Sequence, residues 1–244
     1  MGGGSISALD NRRGASATGA GGTGANGEAS GAFTGSGEAA SGGAGSGSPD
    51  DRIGSGLPAA PTSAFAEWSG DSAIIEYIDG KPVIHHGREY RVMTNDPSYD
   101  QQLLLLKQIE ASSDFAHPSS NTPLPGNVSP PDRFQRASYY EAVLPEPANE
   151  REAIASMFAI MANVSVPFGA PYKNFGVYNT EYRSVTDLTS RIYFFQLTTN
   201  PSVIWANLLK FDLSPGAPVM VLNPDNIDLA GNVVAKFEAA KAPF

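Results

Sequence analysis

Cysteine does not occur anywhere in the 244 residues. Its absence excludes disulfides, thiolate metal sites and a cysteine nucleophile from this chain, and it leaves the redox compartment open. Basic residues are scarce: sixteen Lys and Arg stand against twenty-five Asp and Glu, a formal net charge of −9. Without a basic stripe, nucleic acid is not an expected partner. No stretch approaches the ~20 consecutive apolar residues of a membrane-spanning helix, so a membrane is not an expected partner either. Histidine appears three times. His85 and His86 are neighbours and would point to opposite faces of a strand, and His117 sits in a loop-like stretch. With no carboxylate or third histidine at ligand spacing, no metal site is expected, and nothing implies a cofactor. A G-x-S-x-G context for a nucleophilic serine is also missing.

Glycine is sparse in one part of the chain and dense in the other. Eighteen of the 26 glycines fall in residues 1–56, leaving eight for the other 188 residues. Residues 1–56 have almost no apolar side chain beyond alanine, so they cannot bury enough surface to offset the entropy of ordering. The composition predicts a disordered Gly/Ala/Ser tail over 1–56 and a folded body over 57–244. The tail lacks the continuous apolar stretch and cleavage pattern of a signal peptide, so compartment is not readable. "GAGGTG" at 19–24 fits a dinucleotide-binding fingerprint by letter only, because no strand precedes it and no amphipathic helix follows. The tail contributes −2 to the net charge and the body −7.

After a Pro/Ala linker at 57–65, "SAIIEYID" (72–79), a "DGK" turn and "PVIHHG" (82–87) read as a hairpin. "EYRVMT" (89–94) reads as a third short strand. From Ser98 the pattern becomes helical, with Asn95 or Ser98 as a possible cap and Pro97 in the first turn. A Pro/Asn/Ser loop over 117–131 leads to helices over 132–143 and 149–164. Strands at 181–188, 191–198 and 203–208 close the body, joined by turns of hairpin length. Strands, then helices, then strands predict an α+β fold with helices layered on largely antiparallel sheet.

Two polar residues in this body stand at strand ends. Asn95 follows the third strand, and its side-chain amide offers two donors and one acceptor, suited to holding a carbonyl or stabilising an oxyanion. Asn before Asp-Pro is equally ordinary turn or capping chemistry. Arg191 opens an apolar, aromatic strand directly after a turn. It could orient a carboxylate or polarise a nucleophile, or be a solvated strand-end charge. Tyr193, Phe194 and Phe195 read as sheet packing on both faces.

"AFAEWSGDSAIIEYIDGKPVIHHGREYRVMTNDPSYDQQL", "LPGNVSPPDRFQRASYY" and "NTEYRSVTDLTSRIYFF" follow one another in an order that resembles the choloylglycine hydrolase family, which includes penicillin V acylases and conjugated bile acid hydrolases. The resemblance covers about 64–214, and 1–56 has no counterpart in it. It implies the N-terminal nucleophile hydrolase fold, an αββα sandwich of antiparallel sheets between helical layers, of which this chain would hold the C-terminal part. It implies hydrolysis of linear amide C–N bonds in a small N-acyl amide. In that chemistry an N-terminal cysteine attacks the carbonyl, and the α-amine of the same residue acts as base. It also implies catalytic roles for Asn95, the asparagine of a T-N-x-P block, and for Arg191, an arginine near the nucleophile.

The nucleophile of that chemistry has no counterpart here, and neither does the family's N-terminal half. Three functions are therefore open: a truncated linear-amide hydrolase inactive alone, a ligand-binding pseudoenzyme, and a subunit that completes a separately encoded N-terminal half. Open sheet edges and apolar faces, with "RIYFFQL" foremost, point to self-association or to such a complementary half as partner.

Overall fold

The computed structural model describes residues 7–8, 62–66, 70–113, 121, 123–171, 179–223 and 225–241. Of the Gly-rich segment 1–56, that range takes in β1 (Ser7–Ala8), which pairs antiparallel with β5 (Val92–Met93). The expectation of disorder over the rest of 1–56 lies outside the described residues, as does His117.

β2 (Thr62–Ala66), β3 (Ser72–Ile78) and β4 (Lys81–His86) form an antiparallel sheet in the order β2-β3-β4. β2 thus takes up residues that composition assigned to a linker. The β3–β4 hairpin closes through Asp79 and Gly80, with φ of 51° and 75°. Positive φ at both central residues is the backbone of a two-residue turn matched to strand twist, which explains the Asp-Gly pair. Along β3, Ser72, Ile74 and Glu76 point inward and are buried. On β4, His85 turns in and His86 turns out to bond Asp71 at 2.9 Å, so the two histidines do face opposite ways.

The third strand is shorter than its apolar letters suggest. β5 keeps only Val92 and Met93, because Glu89–Arg91 is taken up by a turn in which the Arg91 N–H donates to the Glu89 carbonyl. Three helices follow: α1 (Tyr99–Ser113), α2 (Pro130–Ala142) and α3 (Glu150–Val164). Each begins where local chemistry offers a partner for its free N–H groups. Ser129 caps α2 by accepting from the Asp132 N–H, while Pro130 and Pro131 occupy positions that have no donor to satisfy. Asn149 caps α3 by accepting from Glu152, whose carboxylate reaches back to the Ala148 N–H at 2.8 Å.

β6 (Tyr182–Asp187), β7 (Ile192–Leu197) and β8 (Ile204–Asn207) form an antiparallel meander, extended by β10 (Gly231–Asn232), which runs parallel to β8. The aromatic strand β7 is flanked by β6 and β8 and half-buried along its length, so it is not the open edge its composition suggested. Tyr182 stacks on Phe195, and Phe194 packs against Trp205 on the other face. A ribbon of β9 (Val219–Val221) and β11 (Glu238–Ala240), which no apolar periodicity announces, lies beyond.

The main core forms where α2 and α3 meet between β5 and β6. Phe134, Val164 and Val185 are almost wholly enclosed there, with Val92, Met157 and Ile160 around them. At ~25 cal/mol per Å² of apolar area removed from water, a cluster of this kind is the main driving force for docking the helices. The class is α+β, with antiparallel sheet predominating and helices layered on it.

Candidate active site

Asn95 sits on the exposed turn between β5 and α1. It does not cap the helix. Ser98 holds the cap position, its carbonyl accepting from the Gln102 N–H at 3.0 Å, and Pro97 precedes the helix rather than entering its first turn. The N–H of Tyr99, the first helical residue, donates instead to the buried Glu76 carboxylate at 2.8 Å. A negative charge there also complements the positive end of the helix.

The side chain of Asn95 is held from α2. Arg133 donates from Nη2 to Asn95 Oδ1 at 2.8 Å, and from Nε to the Val128 carbonyl at 3.1 Å. Arg133 itself is only 4 % exposed. With Oδ1 engaged from within, the two hydrogens on Asn95 Nδ2 have no protein acceptor among the described residues. The side chain therefore presents donors outward at the end of a strand.

The backbone on either side of Asn95 is tied down as firmly. Arg91 Nη1 meets the buried Glu141 carboxylate at 2.6 Å, and Thr94 Oγ1 lies 3.3 Å from the Pro130 carbonyl, an acceptor within reach of its one hydrogen. The spacing makes this a two-point clamp. Residues 133 and 141 are eight apart on a helix, ~12 Å at 1.5 Å per residue. Residues 91 and 95 are four apart in extended chain, ~13 Å at 3.3 Å per residue. The extended segment and α2 therefore run antiparallel and in step. Arg136, one turn along from Arg133, donates to the carbonyls of Pro125 and Asn127, both at 2.8 Å, and so fixes the loop before α2. Burial draws its guanidinium below its usual pKa, with Asp132 and then Tyr140 opposing.

On the other side of α1, Tyr99 is buried against His85 and Tyr90, and its hydroxyl donates to the Val92 carbonyl at 3.2 Å. Burial, followed by the neighbouring Tyr90 and Glu76, raises the Tyr99 phenol well above its ordinary pKa, so it stays a donor at any physiological pH.

Arg191 is placed differently. It ends the turn between β6 and β7 with φ of 56°, and its side chain is exposed. Its carbonyl accepts from the Leu208 N–H at 2.9 Å. The guanidinium has no partner among the described residues, and no described contact joins it to Asn95. Turn chemistry shapes this hairpin, with one end of α3 beside it. Asp187 Oδ1 accepts from the N–H groups of Thr189 and Ser190, and Ser190 Oγ donates to Glu150 at the start of α3.

Arg133, Arg136 and Gln102 were not singled out by sequence reasoning. The signal for Gln102 was present: it lies three residues after Tyr99 and seven before Ile109, on the apolar stripe of α1. Among the described residues no group of three or more His, Asp or Glu side chains could hold a metal ion, and no helix is long and apolar enough to cross a membrane.

Comparison with known proteins identifies the family. Residues 62–234 match the family described as linear amide C–N hydrolases, choloylglycine hydrolase family. A penicillin V acylase of Pectobacterium atrosepticum is 35% identical over 198 residues, a match covering 74% of this chain and 51% of the relative. The solved penicillin V acylase from Agrobacterium tumefaciens superposes with a TM-score of 0.65 at 38% identity, over 74% of this chain and 57% of that one. A variant of the conjugated bile acid hydrolase from Clostridium perfringens gives a TM-score of 0.56 over 64% of this chain and 52% of that one; at 19% identity it shows the likeness of fold alone. The chain thus spans about half the length of the relatives it matches. The fold those relatives share with it is the α+β arrangement described above.

Proposed function

We propose, for a chain that belongs to the choloylglycine hydrolase family of linear amide C–N hydrolases, that its folded part supplies the Asn95 side of a site for hydrolysing a small N-acyl amide. The observation that carries this reading is the bond from buried Arg133 to Asn95 Oδ1 at 2.8 Å. It engages the amide oxygen inside the protein and leaves both donors of an exposed residue without an acceptor among the described residues. Donors held in place before reaction are what a developing oxyanion requires, since they need no reorganisation as charge forms. Arg191 belongs to the proposal separately. Its exposed guanidinium, without a partner among the described residues, would orient a substrate carboxylate or the nucleophile, as the family resemblance implies.

The thiol that attacks the carbonyl has to come from outside this chain, which contains no cysteine. Alone, the chain is inactive in this reading, a truncated form of the hydrolase. Its partner is a complementary cysteine-bearing part of the domain. Exposed Tyr77 and Ile84 on the outer face of the β3–β4 hairpin are the kind of apolar surface such a part would cover. The same lack of cysteine favours a second reading, a pseudoenzyme that binds the amide and releases it unchanged.

The test is an assay of penicillin V and glycine-conjugated bile acids. The chain alone should give no turnover above buffer. Co-expressed with the part of the Agrobacterium tumefaciens penicillin V acylase that its match leaves uncovered, it should turn over penicillin V, and Asn95→Ala should remove that activity. Turnover by the chain alone would mean another nucleophile operates. Saturable binding without turnover, even in the completed assembly, would favour the pseudoenzyme.

A further inference from the structure

Gln102 is fully enclosed, and its side-chain amide engages its oxygen and both its hydrogens on the turn that carries Asn95. Oε1 accepts from the Thr94 N–H at 2.8 Å and lies 3.3 Å from Thr94 Oγ1, whose one hydrogen it shares with the Pro130 carbonyl. Nε2 donates to the Thr94 carbonyl at 2.8 Å and to the Pro97 carbonyl at 2.7 Å. Only one orientation of the amide satisfies these groups, because a backbone N–H must face oxygen and two carbonyls must face NH₂. The pairing with both the N–H and the C=O of Thr94 reproduces what a neighbouring strand would offer. The bond to Pro97 then spans Asn95 from its far side.

We propose that Gln102 is the positioning residue for Asn95: a side chain on α1 that locks residues 94 and 97, so that the Asn95 amide arrives in register with Arg133. This rests on the proposed role of Asn95 for its consequence, but not for its test. A buried amide with its oxygen and both its hydrogens engaged cannot shift without leaving unpaired groups out of water. The turn therefore has one arrangement, and Asn95, exposed as it is, inherits that rigidity. Arg133 alone would not achieve this, since it grips only the tip of the side chain.

The experiment follows the Asn95 side-chain amide in ¹H–¹⁵N spectra of the full chain, assigned by its loss in Asn95→Ala. In the wild type its two hydrogens should be well separated in shift and show contacts to the Arg133 guanidinium. Gln102→Met removes every hydrogen bond of the side chain with little change in volume. Gln102→Glu keeps the shape but sets an oxygen against the two carbonyls. Both should collapse the Asn95 signals toward free-amide values and erase the Arg133 contact, while signals of Val185 in the core stay in place. Ile109→Ala, a cavity on the same buried face of α1, is the control for general loosening. Thr94→Val, which deletes only the hydroxyl, covers the case in which the Gln102 variants do not fold, and it should weaken the Arg133 contact part-way. Unmoved Asn95 signals in a folded Gln102 variant would overturn the proposal. So would an equal shift in Ile109→Ala, or an unchanged contact in Thr94→Val. Because no readout depends on turnover, Asn95 could prove well positioned and yet inert, which would overturn the functional reading alone.

Discussion

The turn that carries Asn95 and the hairpin that ends in Arg191 both finish a strand and both expose a polar side chain, yet they are held by different means. Around Asn95 the restraints come from elsewhere in the chain: Gln102 from α1, Arg133 and Glu141 from α2. Around Arg191 they come mostly from within the turn, through Asp187, with Glu150 of α3 meeting Ser190 and Asp187 and the neighbouring strand end bonding the Arg191 carbonyl. Long-range buried polar restraint is costly to assemble and worthless unless complete. Its concentration at one exposed asparagine marks that turn as the place where geometry has been fixed. The Arg191 hairpin is held largely by its own turn, and its guanidinium has no partner among the described residues.

The largest expected effect falls where the two regions share a core. Phe134→Ala empties an enclosed site between α2, α3 and β5, and should cost ~3–5 kcal/mol in denaturant unfolding. If the two regions were independent, that loss would appear in only one of two separable transitions. A single transition at lower denaturant is expected.

Arg133→Lys comes next. One ammonium cannot serve both Asn95 Oδ1 and the Val128 carbonyl, which the arginine reaches from two different nitrogens. A loss of ~1.5–3 kcal/mol is expected, on the scale of hydrogen bonds to charged groups. Equal stability of the two proteins would remove the contrast between a clamped and an unclamped strand end.

On the Arg191 side the sharper probe is pH. Burial, followed by the charge of Asp187 and a hydrogen bond with it, holds the Glu150 carboxyl above its ordinary pKa, with Ser190 opposing. The native state therefore binds that proton more tightly than the unfolded chain does. The contribution to stability is complete below the ordinary glutamate pKa and is lost as pH rises through the raised one. Glu150→Gln removes this loss. Its Tm should gain on the wild type as pH climbs from the acid side toward neutrality, and a constant difference across that range would contradict the assignment.

The smallest effect is expected at Arg191 itself. Arg191→Ala deletes an exposed side chain with no described partner and should change stability by less than ~0.5 kcal/mol. A loss comparable to that at Arg133 would mean the guanidinium has a structural partner.

The sequence made some of this legible and hid the rest for physical reasons. Asp79-Gly80 demands a particular turn, and the helices expected over 132–143 and 149–164 lie within two residues of those bounds, although α2 opens at Pro130, inside the stretch read as loop, and Asn149 is the cap of α3 rather than its first residue. Asn95 could be singled out, but not its choice between helix cap and presented amide, because that depends on Arg133, 38 residues away. Arg133 and Arg136 look like ordinary surface charges beside Asp132 until folding supplies carbonyls from the 125–128 loop. A two-residue β5 and the exposed β9–β11 ribbon carry too few side chains for a periodic signal to form.

The most direct test of the account is Asn95→Ala in the completed assembly, with penicillin V as substrate and binding measured alongside turnover. Loss of a preorganised oxyanion donor should lower kcat on the order of 10²–10³-fold, with little change in substrate affinity. Unchanged kcat, in an assembly whose activity depends on this chain, would show that Asn95 is held in place for some purpose other than the chemistry.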